Sequence, residues 1–197
     1  MSMSVQGVGD NGAVRRITEV GEEILSRPCQ EVTEFGTPAL ARLIDDMFVT
    51  MGIADGAGLA ANQVGVGLRL FVYDCPDDHG VRHTGHIVNP VLELPAPGDR
   101  RLVDEYEGCL SVPGAGMVVP RTDRAVVRGF DQNGSPVVVE GTGYFARCLQ
   151  HESDHLLGHT YLDRLSKRDR KEALRQMAEH RDEVFALRAE KAADLGR

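Results

Sequence analysis

The sequence predicts an α+β domain: two strongly periodic helical segments stand among several short strand-like runs closed by turn residues, and a charged helical segment follows them. At 197 residues, 42% of them apolar, the chain can enclose a sizeable core, and no linker-like shift in composition divides it. Residues 1–197 therefore read as one domain, with a flexible polar leader over 1–15 and a C-terminal helix over 166–197.

The first helix is predicted over 38–52, where Leu40, Leu43, Ile44, Met47 and Met51 recur at helical spacing. The stretch that follows, Gly56-Ala57-Gly58-Leu59-Ala60-Ala61-Asn62-Gln63, reads as a helix-to-strand turn that couples a free backbone to a side-chain amide. Runs at 68–74, 86–94 and 125–131 predict strands. After the last of these, Asn133 and Gly134 supply a hairpin turn into the run at 136–141. Helical periodicity returns near 144, with Phe145, Leu149, Leu156 and Leu157 set among histidines and acids, and Gly158 offers a stop. Beyond Ser166 the residues Leu174, Met177, Ala178, Val184 and Phe185 form the narrow apolar stripe of a helix lying on a surface.

A formal net charge of −8 argues against broad binding to nucleic acid or anionic membrane, so no DNA or membrane partner is expected. No apolar stretch has the length of a signal peptide core or of a membrane span, which points to a cytoplasmic protein. In a reducing compartment the widely spaced Cys29, Cys75, Cys109 and Cys148 read as buried apolar residues or reactive ligands rather than disulfide halves.

The second helix carries the strongest chemical signal. His151-Glu152-Ser153-Asp154-His155 places two imidazoles one turn apart on one face with an acid beside them, a spacing that suits a transition metal. Histidines at this spacing also arise by chance on polar helices, but the glutamate and the flanking apolar residues weigh against that. A catalytic site takes a third protein ligand and keeps one position open. Cys148 and His159 lie close in sequence, yet each is seven or eight residues from the farther histidine. That is a rise of roughly 10 to 12 Å on a straight helix, too far for donors that must sit about 2.0 to 2.3 Å from one ion. Tyr161 stands where the extended zinc-protease pattern would need its third histidine. A second cluster, His79, His83 and His86 with Asp74, Asp77 and Asp78, reads mainly as solvated loop residues. Upstream, Glu107-Gly108-Cys109-Leu110-Ser111 reads as a loop in which Gly108 permits close backbone approach. A Cys109 thiolate there suits a divalent metal beside two imidazoles, although an isolated cysteine is more often a small buried hydrophobe.

Taken together, the segments at 56–63, 107–111 and 151–155 resemble the peptide deformylase family, whose signatures GxGLAAxQ, EGCLS and HExDH are matched at every position and in this order. The resemblance implies mixed, mainly antiparallel strands around a central helix bearing HExxH, with a C-terminal surface helix. It implies hydrolytic removal of the N-formyl group from formyl-methionine of newly made polypeptides, so the expected partners are N-formylmethionyl nascent peptides, met at the ribosome surface. It further implies one divalent metal held by Cys109, His151 and His155, usually Fe(II), with Zn, Ni or Co able to replace it. Glu152 becomes the proton carrier, and the Gln63 amide and the Leu110 N–H the oxyanion donors. For the substrate, Gly56 and Gly58 expose backbone that can pair with an extended peptide as an added strand. Tyr144 and Cys148, a turn or two before His151, are candidates for the methionine pocket. Two departures stand out. The segment Val112 to Met117 lacks the basic residue that some members place there, and Arg147 stands where several relatives carry an apolar side chain. The alternatives are a zinc endopeptidase, which shares HExxH but not EGCLS, and a catalytically retired metal-binding relative, in which Glu152 and Gln63 would have no purpose.

Overall fold

A computed structural model describes residues 12–196. Helix α1 (Pro38–Ile53) begins where Thr37 Oγ1 accepts the Leu40 N–H at 3.2 Å, and Pro38 in its first turn loses no hydrogen bond. Five antiparallel strands follow the order β1-β2-β3-β6-β7, with β1 (Gly58–Ala60), β2 (Leu70–Pro76), β3 (Arg82–Glu93), β6 (Arg124–Phe130) and β7 (Pro136–Thr142). Between β3 and β6 the chain leaves this sheet to build a separate hairpin, β4 (Leu102–Cys109) with β5 (Val112–Thr122).

Strand β2 shows why the sheet lies between two helices. Leu70 and Val72 pack with Leu43, Met47 and Met51 of α1, whereas Phe71, Tyr73 and Cys75 join the core of α2 (Gly143–Leu156). A strand covered on both faces reads as a continuous apolar run, as this one does. Helix α2 is buried from Phe145 to Leu156. Held between the sheet and the β4–β5 hairpin, it is the central helix. It stops at Gly158, whose φ of 84° is the left-handed conformation expected past a helix end.

Helix α3 (Lys167–Asp194) starts on a Ser166 cap and lies along β5. A Cβ on Gly114, where φ is 76°, would stand 2.5 Å from His180 Cβ, so the helix and hairpin approach as closely as backbone permits. Arg181 Nε also donates to Glu19 Oε2 at 2.5 Å, and Lys191 pairs with Asp55. Among the described residues no helix is long and apolar enough to cross a membrane.

Four expectations change. The leader is anchored from Ala13 onward: Ala13 N–H donates to Asp46 Oδ1 at 2.7 Å and Arg15 N–H to Thr50 Oγ1 at 2.9 Å, both on α1, and residues 1–11 lie outside the described ones. The segment 107–111 is not a free loop but the tip of β4–β5, where the register shifts between Gly108 and Cys109. The acids and histidines at 74–86 lie on and around the β2–β3 hairpin: His83 hydrogen bonds to Asp77 at 2.9 Å and stacks on Phe145, and His86 Nε2 accepts the Gln132 N–H. On α3, Leu174 and Ala178 face solvent, while Ala173 and Met177 pack against the hairpin. The true inner face is mixed, since Gln176 and Arg181 are half-buried and hydrogen bonded to the body of the protein.

Candidate metal centre

Helix α2 presents His151 and His155 toward the hairpin tip, and the end of β4 carries Cys109 to meet them. Cys109 Sγ lies 3.2 Å from His155 Nε2, which lies 3.2 Å from His151 Nε2. All three candidate ligand atoms fall within 4.8 Å of one another, and among the described residues they are the one such group. Cys148 and His159, set aside on helix rise, do not join them. Cys148 Sγ donates instead to Ala57 O at 3.5 Å, and exposed His159 lies beyond the helix end.

The donor set fits a divalent ion. Because a carboxylate can only accept, the 2.7 Å contact between His151 Nδ1 and Glu107 Oε1 puts the proton on Nδ1 and leaves the Nε2 lone pair for a metal. Sulfur and imidazole lone pairs converging in a buried space repel one another unless protons or a metal ion stand among them. Burial alone would push the Cys109 thiol up, but the adjacent His155 and His151 outweigh it and bring the group down to about 5, so a thiolate is available at neutral pH.

Behind the ligands runs a chain of buried charges. Glu107 also accepts from Arg121 at 2.6 and 3.0 Å and from Arg147 at 2.8 Å, while Arg121 reaches Asp154 at 2.6 Å and Asp154 accepts from Arg164. Burial would raise the Glu107 carboxyl, but hydrogen bonds from His151 and Arg121 hold it well below the usual carboxylate range. The Arg147 charge, which bore on the polarity of the pocket, is thus spent on Glu107 and on the Val103 and Val119 carbonyls. Asn62 donates to the His155 carbonyl at 2.7 Å and ties the first motif to the helix.

A cavity of about 430 Å³ opens onto this centre. It is bordered by Gly56, Gly58, Gln63, Cys109, Leu110, Tyr144, Cys148, His151 and Glu152, with His155 fully buried behind them. Gln63 is fixed at both ends of its amide: Oε1 accepts the Ala60 N–H at 2.9 Å, and Nε2 faces Ser111 Oγ at 3.1 Å and Cys109 Sγ at 3.6 Å. Gly58 lies so close to Glu152 that a Cβ would stand 2.6 Å from its Oε1 and 2.8 Å from Cys148 Sγ. Glu152 Oε2 is buried without a hydrogen-bond partner among the described residues, and burial raises the carboxyl to about 7, in the range where an acid both gives and takes a proton near neutrality.

Sequence reasoning gave no role to Glu107, Asn62 or Arg121. The first two stand inside quoted motifs and could have been asked for a partner. Arg121 lies on the opposite strand of the hairpin from Glu107, so no local pattern marks it.

The profile of the family described as polypeptide deformylase matches residues 14–171. The chain is 57% identical over 172 residues to peptide deformylase 1 of Streptomyces avermitilis, covering 87% of this chain and 79% of the relative. It is 49% identical over 181 residues to the peptide deformylase of Mycolicibacterium paratuberculosis, covering 85% and 89%. The crystal structure of a peptide deformylase from Legionella pneumophila superposes with a TM-score of 0.76 at 38% identity, over 86% of this chain and 96% of that one. With a matched profile over most of its length, relatives 57% and 49% identical and a shared fold, the chain belongs to the polypeptide deformylase family.

Proposed function

We propose that a divalent ion held by Cys109, His151 and His155, with Glu152 as proton carrier, is the means by which this enzyme removes the N-formyl group from formyl-methionine of newly made polypeptides and releases formate. The observation that carries the assignment is Glu152 itself: buried, unpartnered at Oε2, raised to about 7, and bordering the same cavity as Cys109 and His151. When bound, the ion acidifies water and polarises the carbonyl it touches. The chain's own residues do the rest. Glu152 takes the proton released as the nucleophile forms and returns it to the departing amine. The Gln63 amide and the Leu110 N–H donate to the developing oxyanion, each donor contributing about 2.7 to 4 kcal/mol. Glu107 keeps the proton of His151 on Nδ1.

Gly56 and Gly58 offer main chain to an extended peptide, which suits substrates that share little beyond formyl-methionine. Tyr144 and Cys148 border the methionine pocket, Tyr144 about half exposed and Cys148 buried. The tight fit at Gly58 gives a direct check. Gly58→Ala should displace Glu152 and lower kcat on the order of 100-fold, the typical cost of a misplaced catalytic group, with metal content retained. Steady-state kinetics with metal analysis on the same sample tests this, and a variant of near wild-type rate would show that the glutamate has room to move.

The reading as a whole is tested by formate release from formyl-Met-Ala-Ser under argon, and its absence with iron, zinc, nickel and cobalt alike would overturn it. We assign Fe(II) as the native ion and the cytoplasm as the setting, where a thiolate ligand stays reduced. Protein reconstituted with Fe(II) should then lose activity in air as the iron and the Cys109 thiolate oxidise, while the nickel form should keep it. Equal decay of both forms would remove iron oxidation as the cause. The surface we assign to the ribosome is the exposed start of α3, where Lys167, Arg168 and Lys171 stand together.

A further inference from the structure

Helix α3 reaches the cavity through one side chain. Arg188 borders the cavity beside Leu110 and Gly114, and its Nη2 donates to the Leu110 carbonyl at 3.2 Å. Its Nε and Nη1 are shielded from solvent and have no hydrogen-bond partner among the described residues. Such a cation is costly to keep, since each guanidinium N–H given up by water needs an acceptor. The other arginine on the cavity wall, Arg147, has already committed its charge to Glu107 and two carbonyls. Nor is Arg188 loosely placed, because Arg181 with Glu19, Lys191 with Asp55 and the contact at Gly114 fix the helix on either side of it.

The position of Arg188 indicates what would complete it. Glu152 and His151 are buried, whereas Arg188 comes from a surface helix and is half-buried, so it belongs to the more exposed wall of the same cavity. A peptide with its formyl end at Cys109 and His151 must leave toward solvent past the more exposed wall. The acceptor on offer there is a main-chain carbonyl, because the carboxyl end of a growing chain is remote. Side chains vary from one substrate to the next, and carbonyl oxygens do not. We propose that Arg188 is a substrate-binding residue whose guanidinium takes a main-chain carbonyl oxygen of the residues that follow formyl-methionine, so that the C-terminal helix sets a preference for longer chains over short ones.

This inference rests on the deformylase reading of the site, and the test separates the two. Formate release is measured for formyl-Met-Ala-Ser-amide and for formyl-methionine methylamide, which ends before the next residue. The amide end removes any attraction of Arg188 to a terminal carboxylate. In the wild-type protein the ratio of kcat/KM for the two substrates defines the length preference, and release from neither would count against the catalytic reading rather than against Arg188. Arg188→Ala should lower that ratio about ten-fold, chiefly through KM of the longer substrate, as expected for one hydrogen bond from a charged donor. Arg188→Lys should recover part of it. Metal content and thermal melting are followed in each variant, and should Arg188→Ala lose metal, Arg188→Gln carries the same comparison. An equal loss on both substrates would overturn the proposal and leave Arg188 as a brace for the Leu110 turn, and an unchanged ratio would remove it from the binding site.

Discussion

Glu152→Gln is expected to lower turnover at least about 100-fold while metal and fold stay in place, because the amide keeps the shape of the side chain and cannot accept the proton. The neighbours of Glu152 make the comparison clean: Gly58 leaves no room beside it for even a Cβ, and its Oε2 has no hydrogen-bond partner among the described residues for the substitution to break. Stability supplies an independent readout in the metal-free protein. Burial raises the carboxyl from its ordinary 4.5 to about 7, so between those values the folded chain binds more protons than the unfolded one. The stability of the wild type relative to the variant should therefore fall as pH rises from about 4.5 to about 7, by an amount on the order of 3 kcal/mol, while the Cys109 thiol, brought down to about 5, contributes an opposite slope common to both proteins. Urea unfolding of both proteins across this range checks the sign. A variant that kept more than about a tenth of the wild-type rate would end the assignment of Glu152 as base.

Cys109→Ser is expected to weaken metal binding by on the order of 100-fold or more, since even partners one step removed from a metal commonly cost 10 to 100-fold. A serine hydroxyl does not ionise under the influence of two imidazoles as the thiol does, and its oxygen is a poor match for a soft or borderline ion. Cys148→Ser is the matched control, because Cys148 is equally buried, lines the same cavity and bonds to Ala57 O rather than facing the imidazoles. Metal content of the two purified variants decides the matter. Loss from the Cys148 variant alone would overturn the ligand set.

How far the sequence could be read depended on the range of the interaction. Both helices that flank the sheet were legible, because α1 and α2 each carry an apolar face at helical spacing, and so was the β6–β7 hairpin, whose Gly134 takes a φ of 86°. The β4–β5 hairpin was not. Pro113, Gly114, Gly116 and Pro120 break the usual pattern of a strand, and β4 exposes Leu102 and Tyr106. The metal ligands stood out because two share one helix turn and the third lies in a motif recognisable as a unit. The charges behind them had no such signal: Glu107, Arg121 and Asp154 belong together only once the hairpin has folded onto α2. The inner face of α3 was misjudged for the same reason. Apolar periodicity selects Leu174 and Ala178, whereas the docked face is chosen by contact with glycines of β5 and by polar side chains that find partners across it.

Strand β1 ends the sheet, pairing with β2 along one side only. An open sheet edge ordinarily invites other chains to add to it, which is the route to self-association and fibrils. Here the edge is three residues long and wholly buried, and of its residues Gly58 borders the cavity beside Leu110 and Tyr144. A second sheet finds no exposed strand there to pair with. Under the proposed reading, a recess that receives one extended chain end shuts out folded neighbours, so the edge that would be a hazard on an open surface stays harmless at high protein concentration.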